Sequence, residues 1–123
     1  MSENTTLPLN LFRHEAETRS LRAGETLFRE GDQGDTMYVV LEGELQITIK
    51  GRSVEQVGPG GVVGELAIIE KAPRTATVAA KTDAKLVALA TRRFEFLVQQ
   101  TPFFATHLMR IMAARLRRMD QLL

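Results

Sequence analysis

Short apolar runs broken by glycine every few residues constrain this chain more than any other feature. Between 14 and 90, the segments 15–21, 25–28, 37–41, 45–49, 53–57, 62–63, 76–80 and 85–89 read as strands. The alternation is clearest in Leu45-Gln46-Ile47-Thr48-Ile49, where apolar and polar residues take opposite faces. Gly24, Gly31, Gly34, Gly43, Gly51, Gly58, Gly60 and Gly61 punctuate the runs, and Gly51-Arg52 reads as a tight hairpin. Many short strands with frequent turns argue for a sandwich or a jelly roll.

The last third changes period. Thr91 reads as an N-cap for a helix over 92–100, and Thr101-Pro102 opens a second helix running to about 119 or beyond. In that helix Ala105, Met109, Met112, Leu116, Met119 and Leu123 recur at spacings of four and three, beside a second stripe of Phe104, Leu108 and Ile111. One stripe is expected to dock on the barrel and the other to face a partner or ligand. From 91 onward, Arg92, Arg93, Arg110, Arg115, Arg117 and Arg118 outnumber Glu95 and Asp120, giving +4 within a net charge of +1, so the remainder carries −3. Arginine on the solvated face of a terminal helix is the expected reading, ahead of a nucleic-acid surface.

With 123 residues the chain is sized for one domain. It has no cysteine, which excludes disulfides, thiolate metal sites and a Cys-His nucleophile. No apolar run approaches a membrane span, and the opening M-S-E-N-T-T lacks the parts of a signal peptide, so a cytoplasmic location is expected. A metal-dependent jelly-roll enzyme would need a cluster of histidine and carboxylate ligands on adjacent strands. Here His14 and His107 are the only histidines, one ahead of the barrel and one on a helix. No Ser-His-Asp set is recognisable either. A non-catalytic protein without metal or cofactor is therefore expected.

Chemistry concentrates in 63–80, V-G-E-L-A-I-I-E-K-A-P-R-T-A-T-V-A-A. Gly64 allows a backbone conformation or a close approach that a side chain would block. Residues 65–70 are expected to form one helical turn whose first amides lack intrahelical partners. Such a helix start suits an anion, and Arg74 is near enough in the chain to bring a guanidinium to the same anion. Glu65 can only accept hydrogen bonds, which suits a sugar hydroxyl beside that charge. One negative charge with an adjacent hydroxyl describes a cyclic nucleotide. A nucleoside triphosphate fits poorly, because no lysine-bearing phosphate loop is present.

The runs Gly64-Glu65-Leu66-Ala67 and Pro73-Arg74-Thr75-Ala76-Thr77-Val78 closely resemble the phosphate-binding cassette of the cyclic nucleotide-binding domain family. That family includes sensor domains of catabolite-activator-like regulators, cyclic nucleotide-dependent kinases and gated channels. The segment 31–43 resembles its second signature, whose glycines serve turns between barrel strands and read as architecture rather than chemistry. The segment 109–116 resembles the long dimer helix of catabolite-activator-like regulators. The resemblance implies a mainly β fold, an eight-stranded double-stranded β-helix (jelly roll) with flanking C-terminal helices. It implies a single domain over 1–123, with a barrel over about 14–90, a cassette over 63–78 and helices over 91–123. The implied ligand is cAMP, with cGMP also possible, held by Gly64, Glu65, Leu66, Ala67, Arg74, Thr75 and Ala76. Arg74 would take the exocyclic phosphate oxygens and Glu65 the ribose 2′-hydroxyl, while Thr75 would permit cGMP. Met119 and Asp120 are the nearest candidates for a residue laid over the base. The implied function is a sensor whose C-terminal helix moves with the ligand and can pair two copies. No direct nucleic-acid or membrane partner is expected. The alternative is the N-terminal sensor half of a transcription regulator, or a regulatory fragment of a channel or transporter.

Overall fold

The structure, a computed structural model, describes residues 6–12, 15 and 17–122. A short 3-10 helix at Leu9–Phe12 leads into β1 (Thr18–Leu21), β2 (Thr26–Phe28), β3 (Thr36–Glu42), β4 (Leu45–Ile49), β5 (Arg52–Val57) and β6 (Val62–Val63). Then come α1 (Glu65–Ile69), β7 (Thr77–Ala80), β8 (Ala84–Ala90), α2 (Thr91–Gln100) and α3 (Pro102–Leu122). The strands form two four-stranded sheets, ordered β1-β8-β3-β6 and β2-β7-β4-β5, with every neighbouring pair antiparallel. This is the eight-stranded jelly roll. The expected strand start near His14 lies outside the described residues, and β1 begins at Thr18.

The two sheets differ in what covers them. In β4, Leu45 and Ile47 point into the barrel while Gln46 and Thr48 are half-buried, so the strand reads as an alternation. In β3 the run Met37-Tyr38-Val39-Val40 is buried throughout. Tyr38 and Val40 join the barrel interior, whereas Met37 and Val39 join a second core under the helices. β8 behaves alike, with Ala84 and Leu86 inside and Val87 and Leu89 outside. A strand covered on both faces loses its polar alternation.

The second core is built on Phe104, fully buried, with Phe12 and Phe94 set edge-on at centroid distances of 6.4 and 5.9 Å. Each such side chain removed from water contributes about 1.5–3 kcal/mol. Phe104, Leu108 and Ile111 are all buried, so theirs is the stripe that docks α3 on the barrel. Met109 and Leu116 are 61% and 65% exposed. Pro102 opens α3, where its missing N–H forfeits no helical bond.

Two local expectations are corrected. Thr91 is not the N-cap of α2; Ala90 is, in an extended conformation, and the Thr91 hydroxyl donates instead to the Asp35 carbonyl at 3.1 Å. That bond ties the start of α2 to the residue before β3. The β4–β5 turn is centred on Lys50-Gly51, because Arg52 already pairs with Ile49 in the ladder. Among the described residues no helix is long and apolar enough to cross a membrane. Nor does any group of three or more histidine and carboxylate side chains there stand where it would hold a metal ion.

Candidate functional site

A cavity of about 520 Å³ opens at the mouth of the barrel, between β2, β4, β5, α1, the segment 74–78 and the second half of α3. Gly64, Glu65, Leu66, Ala67, Arg74, Thr75 and Ala76 all line it. The other walls are mostly apolar: Phe28, Ile47, Ile49, Val54 and Val63 from the barrel, and Met112, Leu116 and Met119 from α3. Asp120 is exposed and is not part of the wall, so of the two lid candidates only Met119 faces the cavity.

Gly64 precedes α1 in a left-handed conformation, φ 82°. A β-carbon there would come within 2.7 Å of Arg74 Nη1 and 3.2 Å of the Thr36 carbonyl. Both properties expected of this glycine are thus in use. Immediately after it, α1 begins at Glu65, and the Leu66 and Ala67 amides fall where a helix offers them no internal acceptor.

Arg74 is only 6% exposed. Its backbone is clasped by the β2–β3 loop, its N–H donating to the Asp32 carbonyl and its carbonyl accepting from Gly31, both at 2.8 Å. Its guanidinium lies over the Phe28 ring, 4.2 Å from the centroid. Nη1 donates to the carbonyls of Thr36 at 2.8 Å and Gly64 at 3.3 Å, while Nε is buried without a partner. No carboxylate among the described residues lies in ion-pair contact with it. Burial pushes its pKa below the usual arginine range, with Tyr38, Asp35 and Asp32 offsetting only part of that. An arginine stays charged even so. A cation stripped of water, with no counter-ion and a polar atom unspent, has the chemistry to take an anion.

Glu65 is 5% exposed and not free-standing. Arg115 of α3 donates from Nη1 to Glu65 Oε2 at 3.0 Å. The same guanidinium donates from Nε to Glu55 Oε1 at 2.8 Å, and from Nη2 to Glu55 Oε2 at 3.2 Å and the Val62 carbonyl at 2.9 Å. Arg118 adds a bond to Glu55 Oε2 at 2.9 Å. Burial opposes the charge on Arg115, but Glu65 and Glu55 outweigh it and hold its pKa above the usual value.

Three features correct the sequence reading. Arg115 is no solvated arginine: it joins α3 to β5 and to the start of α1. Arg93 also pairs, with Glu15 near the chain start. Gly34 is not merely a turn residue, because a β-carbon there would sit 2.5 Å from Arg74 Nη2. The loop carrying the second glycine signature therefore belongs to the arginine's socket. Of the two histidines, His107 has Nδ1 2.9 Å from the Phe103 carbonyl one turn earlier on α3, and His14 lies outside the described residues.

A family model described as the cyclic nucleotide-binding domain matches residues 18–101. Over 79 residues the chain is 42% identical to the cGMP-dependent protein kinase egl-4 of Caenorhabditis briggsae, which covers 64% of this chain but 10% of that kinase. The structure of the Thermus thermophilus catabolite activator protein superposes with a TM-score of 0.76 at 29% identity, over 85% of this chain and 52% of that one. A structure described as cAMP-bound PfPKA-R gives a TM-score of 0.75 at 25% identity, over 86% of this chain and 36% of that one. The chain thus spans a small part of the kinase it matches and about half or less of these solved chains. A matched segment that holds β1 to β8 and the whole arginine socket places this chain in the cyclic nucleotide-binding domain family.

Proposed function

We propose that this domain binds a 3′,5′-cyclic nucleotide monophosphate and acts as a non-catalytic sensor. The observation that carries the reading is Arg74, a buried guanidinium without a counter-ion, facing a cavity whose other walls are mostly apolar. A cyclic nucleotide brings one phosphate charge for Arg74 and the Leu66 and Ala67 amides. It also brings a 2′-hydroxyl for Glu65 and a purine for the apolar walls. Gly64 and Ala76 line the cradle, and the Thr75 hydroxyl is expected to meet a guanine amino group. Both cAMP and cGMP are expected to bind, with cAMP the physiological ligand. The names of the similar proteins, one cGMP-dependent and one cAMP-bound, are consistent with either.

Output runs through α3, which touches the ligand cavity with Met112, Leu116 and Met119 and presents Met109 and Leu116 outward. Nucleotide is expected to shift the position of this helix, and its exposed stripe to pair two copies in a modest dimer. Hydrogen exchange in α3 that ignores nucleotide would remove the coupling. A protein that stays monomeric at high micromolar concentration, with and without nucleotide, would remove the dimer.

Calorimetry with cAMP and cGMP tests the binding. Arg74→Ala should weaken it by about 3–4 kcal/mol, two to three powers of ten. Arg74→Lys should weaken it too, since a point charge cannot reproduce the guanidinium fork. Wild-type affinity in Arg74→Ala overturns the assigned phosphate cradle. An unchanged cGMP-to-cAMP affinity ratio in Thr75→Ala leaves that hydroxyl without a selective role.

A further inference from the structure

With no counter-ion among the described residues, something other than opposite charge must seat the Arg74 guanidinium in the cavity wall. The Thr36 and Gly64 carbonyls hold one nitrogen only, Nη1. A guanidinium pinned at one nitrogen can still turn, and the cavity beside it offers water to one that does. A long side chain also gains rotamer freedom by leaving its seat. The remaining contact is Phe28, whose ring centroid lies 4.2 Å from Arg74 Cζ. An aromatic face attracts a cation through its quadrupole, and most strongly where water is excluded. Phe28 is itself buried.

The local build of β2 presents this ring. In a regular strand, Leu27 and Phe28 would point to opposite faces. The pairing of β2 with β7 slips by one residue instead, so that Thr26 faces Ala79 and Phe28 faces Val78. A bulge of this kind re-aims a side chain. Leu27 and Phe28 accordingly both join the barrel interior. Two neighbours then fix the ring. Tyr38 packs against it with centroids 6.3 Å apart, and a β-carbon on Gly64 would stand 3.3 Å from Phe28 Cε2. With Nη1 taken and a face covered, the Nε–Nη2 edge of Arg74 is left over. Nε is buried without a partner, and Nη2 makes no hydrogen bond among the described residues. That edge carries two parallel N–H groups, the fork that suits two phosphate oxygens.

We propose that Phe28 is a positioning residue for the phosphate, its ring seating the unliganded Arg74 with the Nε–Nη2 edge free for the ligand. Without the ring, the guanidinium turns out toward water. A ligand must then recover the seated orientation, and apparent affinity falls by the fraction that remains seated. The proposal rests on the cyclic-nucleotide reading and adds to it a residue from outside the 63–78 stretch.

Two replacements test it on the full chain. Phe28→Leu keeps an apolar side chain without an aromatic face. Trifluorophenylalanine at position 28 keeps the shape and weakens the face, which guards against a Leu variant that fails to fold. Calorimetric affinity for cAMP is expected to fall about tenfold in the first and about threefold in the second. Both losses should vanish in an Arg74→Ala background, because Phe28 acts through that guanidinium. In the unliganded protein, NMR should show the Arg74 Nε–H exchanging slowly with water in wild type and faster in both variants. Undiminished affinity in both variants overturns the proposal. So does a loss that persists in Arg74→Ala, the mark of a ring that only packs or only touches the ligand. Wild type that binds neither cAMP nor cGMP removes the cyclic-nucleotide reading, and the exchange contrast still decides whether Phe28 seats the arginine.

Discussion

Arg74, buried, and Arg115, half-buried, are two guanidinium groups at the same cavity, and the protein treats them oppositely. Arg115 is enclosed by Glu55 and Glu65 and uses four of its N–H groups. Arg74 has two carbonyls, an aromatic face and an unspent Nε. Burial costs both cations their hydration, but only one recovers it from opposite charge inside the chain. The pKa directions record this, raised for Arg115 and lowered for Arg74. One arginine is completed by the fold and the other keeps a buried Nε without a partner. Under the proposed function, burial without a counter-charge, rather than burial alone, marks the residue that takes the phosphate.

Unliganded stability should separate the two most sharply. Arg115→Met leaves Glu55 and Glu65 without their shared cation, and should cost about 3 kcal/mol in urea unfolding. That is the low end for a broken buried pair, because Arg118 still reaches Glu55. Arg74→Met strands no anion and should stay within about 1 kcal/mol of wild type. Equal losses from the two would break the contrast.

A smaller effect is expected from Gly34→Ala. Its β-carbon would meet the Arg74 guanidinium at 2.5 to 2.7 Å, so the guanidinium must move off its carbonyls. Cyclic nucleotide affinity should fall about tenfold, roughly 1.4 kcal/mol, while the unfolding midpoint barely changes. An unaltered affinity would show that the socket tolerates a displaced arginine. An affinity loss matched by a collapse in stability would make Gly34 a folding residue instead.

Much of this was readable from the chain because the relevant partners are close in sequence. The strand at 45–49 carries its own alternation, and the structure places β4 at the same residues. Gly64, Glu65 and Arg74 lie within one short stretch, so their convergence on one cavity needed only a turn and a return strand. Arg115 escaped because its partners Glu55 and Glu65 are 60 and 50 residues away. On a helix taken alone, an arginine flanked by other arginines reads as solvent-facing. Gly34 escaped for a related reason: a turn glycine and a glycine that makes room for a distant side chain look identical in sequence. Thr91 misled because its hydroxyl had a tertiary acceptor in Asp35 that local capping rules do not see.

The double-sided burial of β3 and β8 bears on how α3 can move. Met37, Val39, Val87 and Leu89 lean outward onto the helices, while Tyr38, Val40 and Leu86 lean inward from the same strands. The wall is thus loaded from both sides, and the first half of α3 is riveted to it through Phe104, Leu108 and Ile111. Detaching that half would bare an apolar wall to water. The second half hangs over the cavity, tethered by polar contacts at Arg115 and Arg118. Mechanically, α3 is clamped by apolar packing up to Ile111, and its stretch from Met112 to Leu122, about 15 Å at 1.5 Å per residue, is held to the barrel by the Arg115 and Arg118 contacts. Under the proposed coupling, a displacement at the cavity would grow toward the tip of α3, where a second copy pairing with the helix would feel it most.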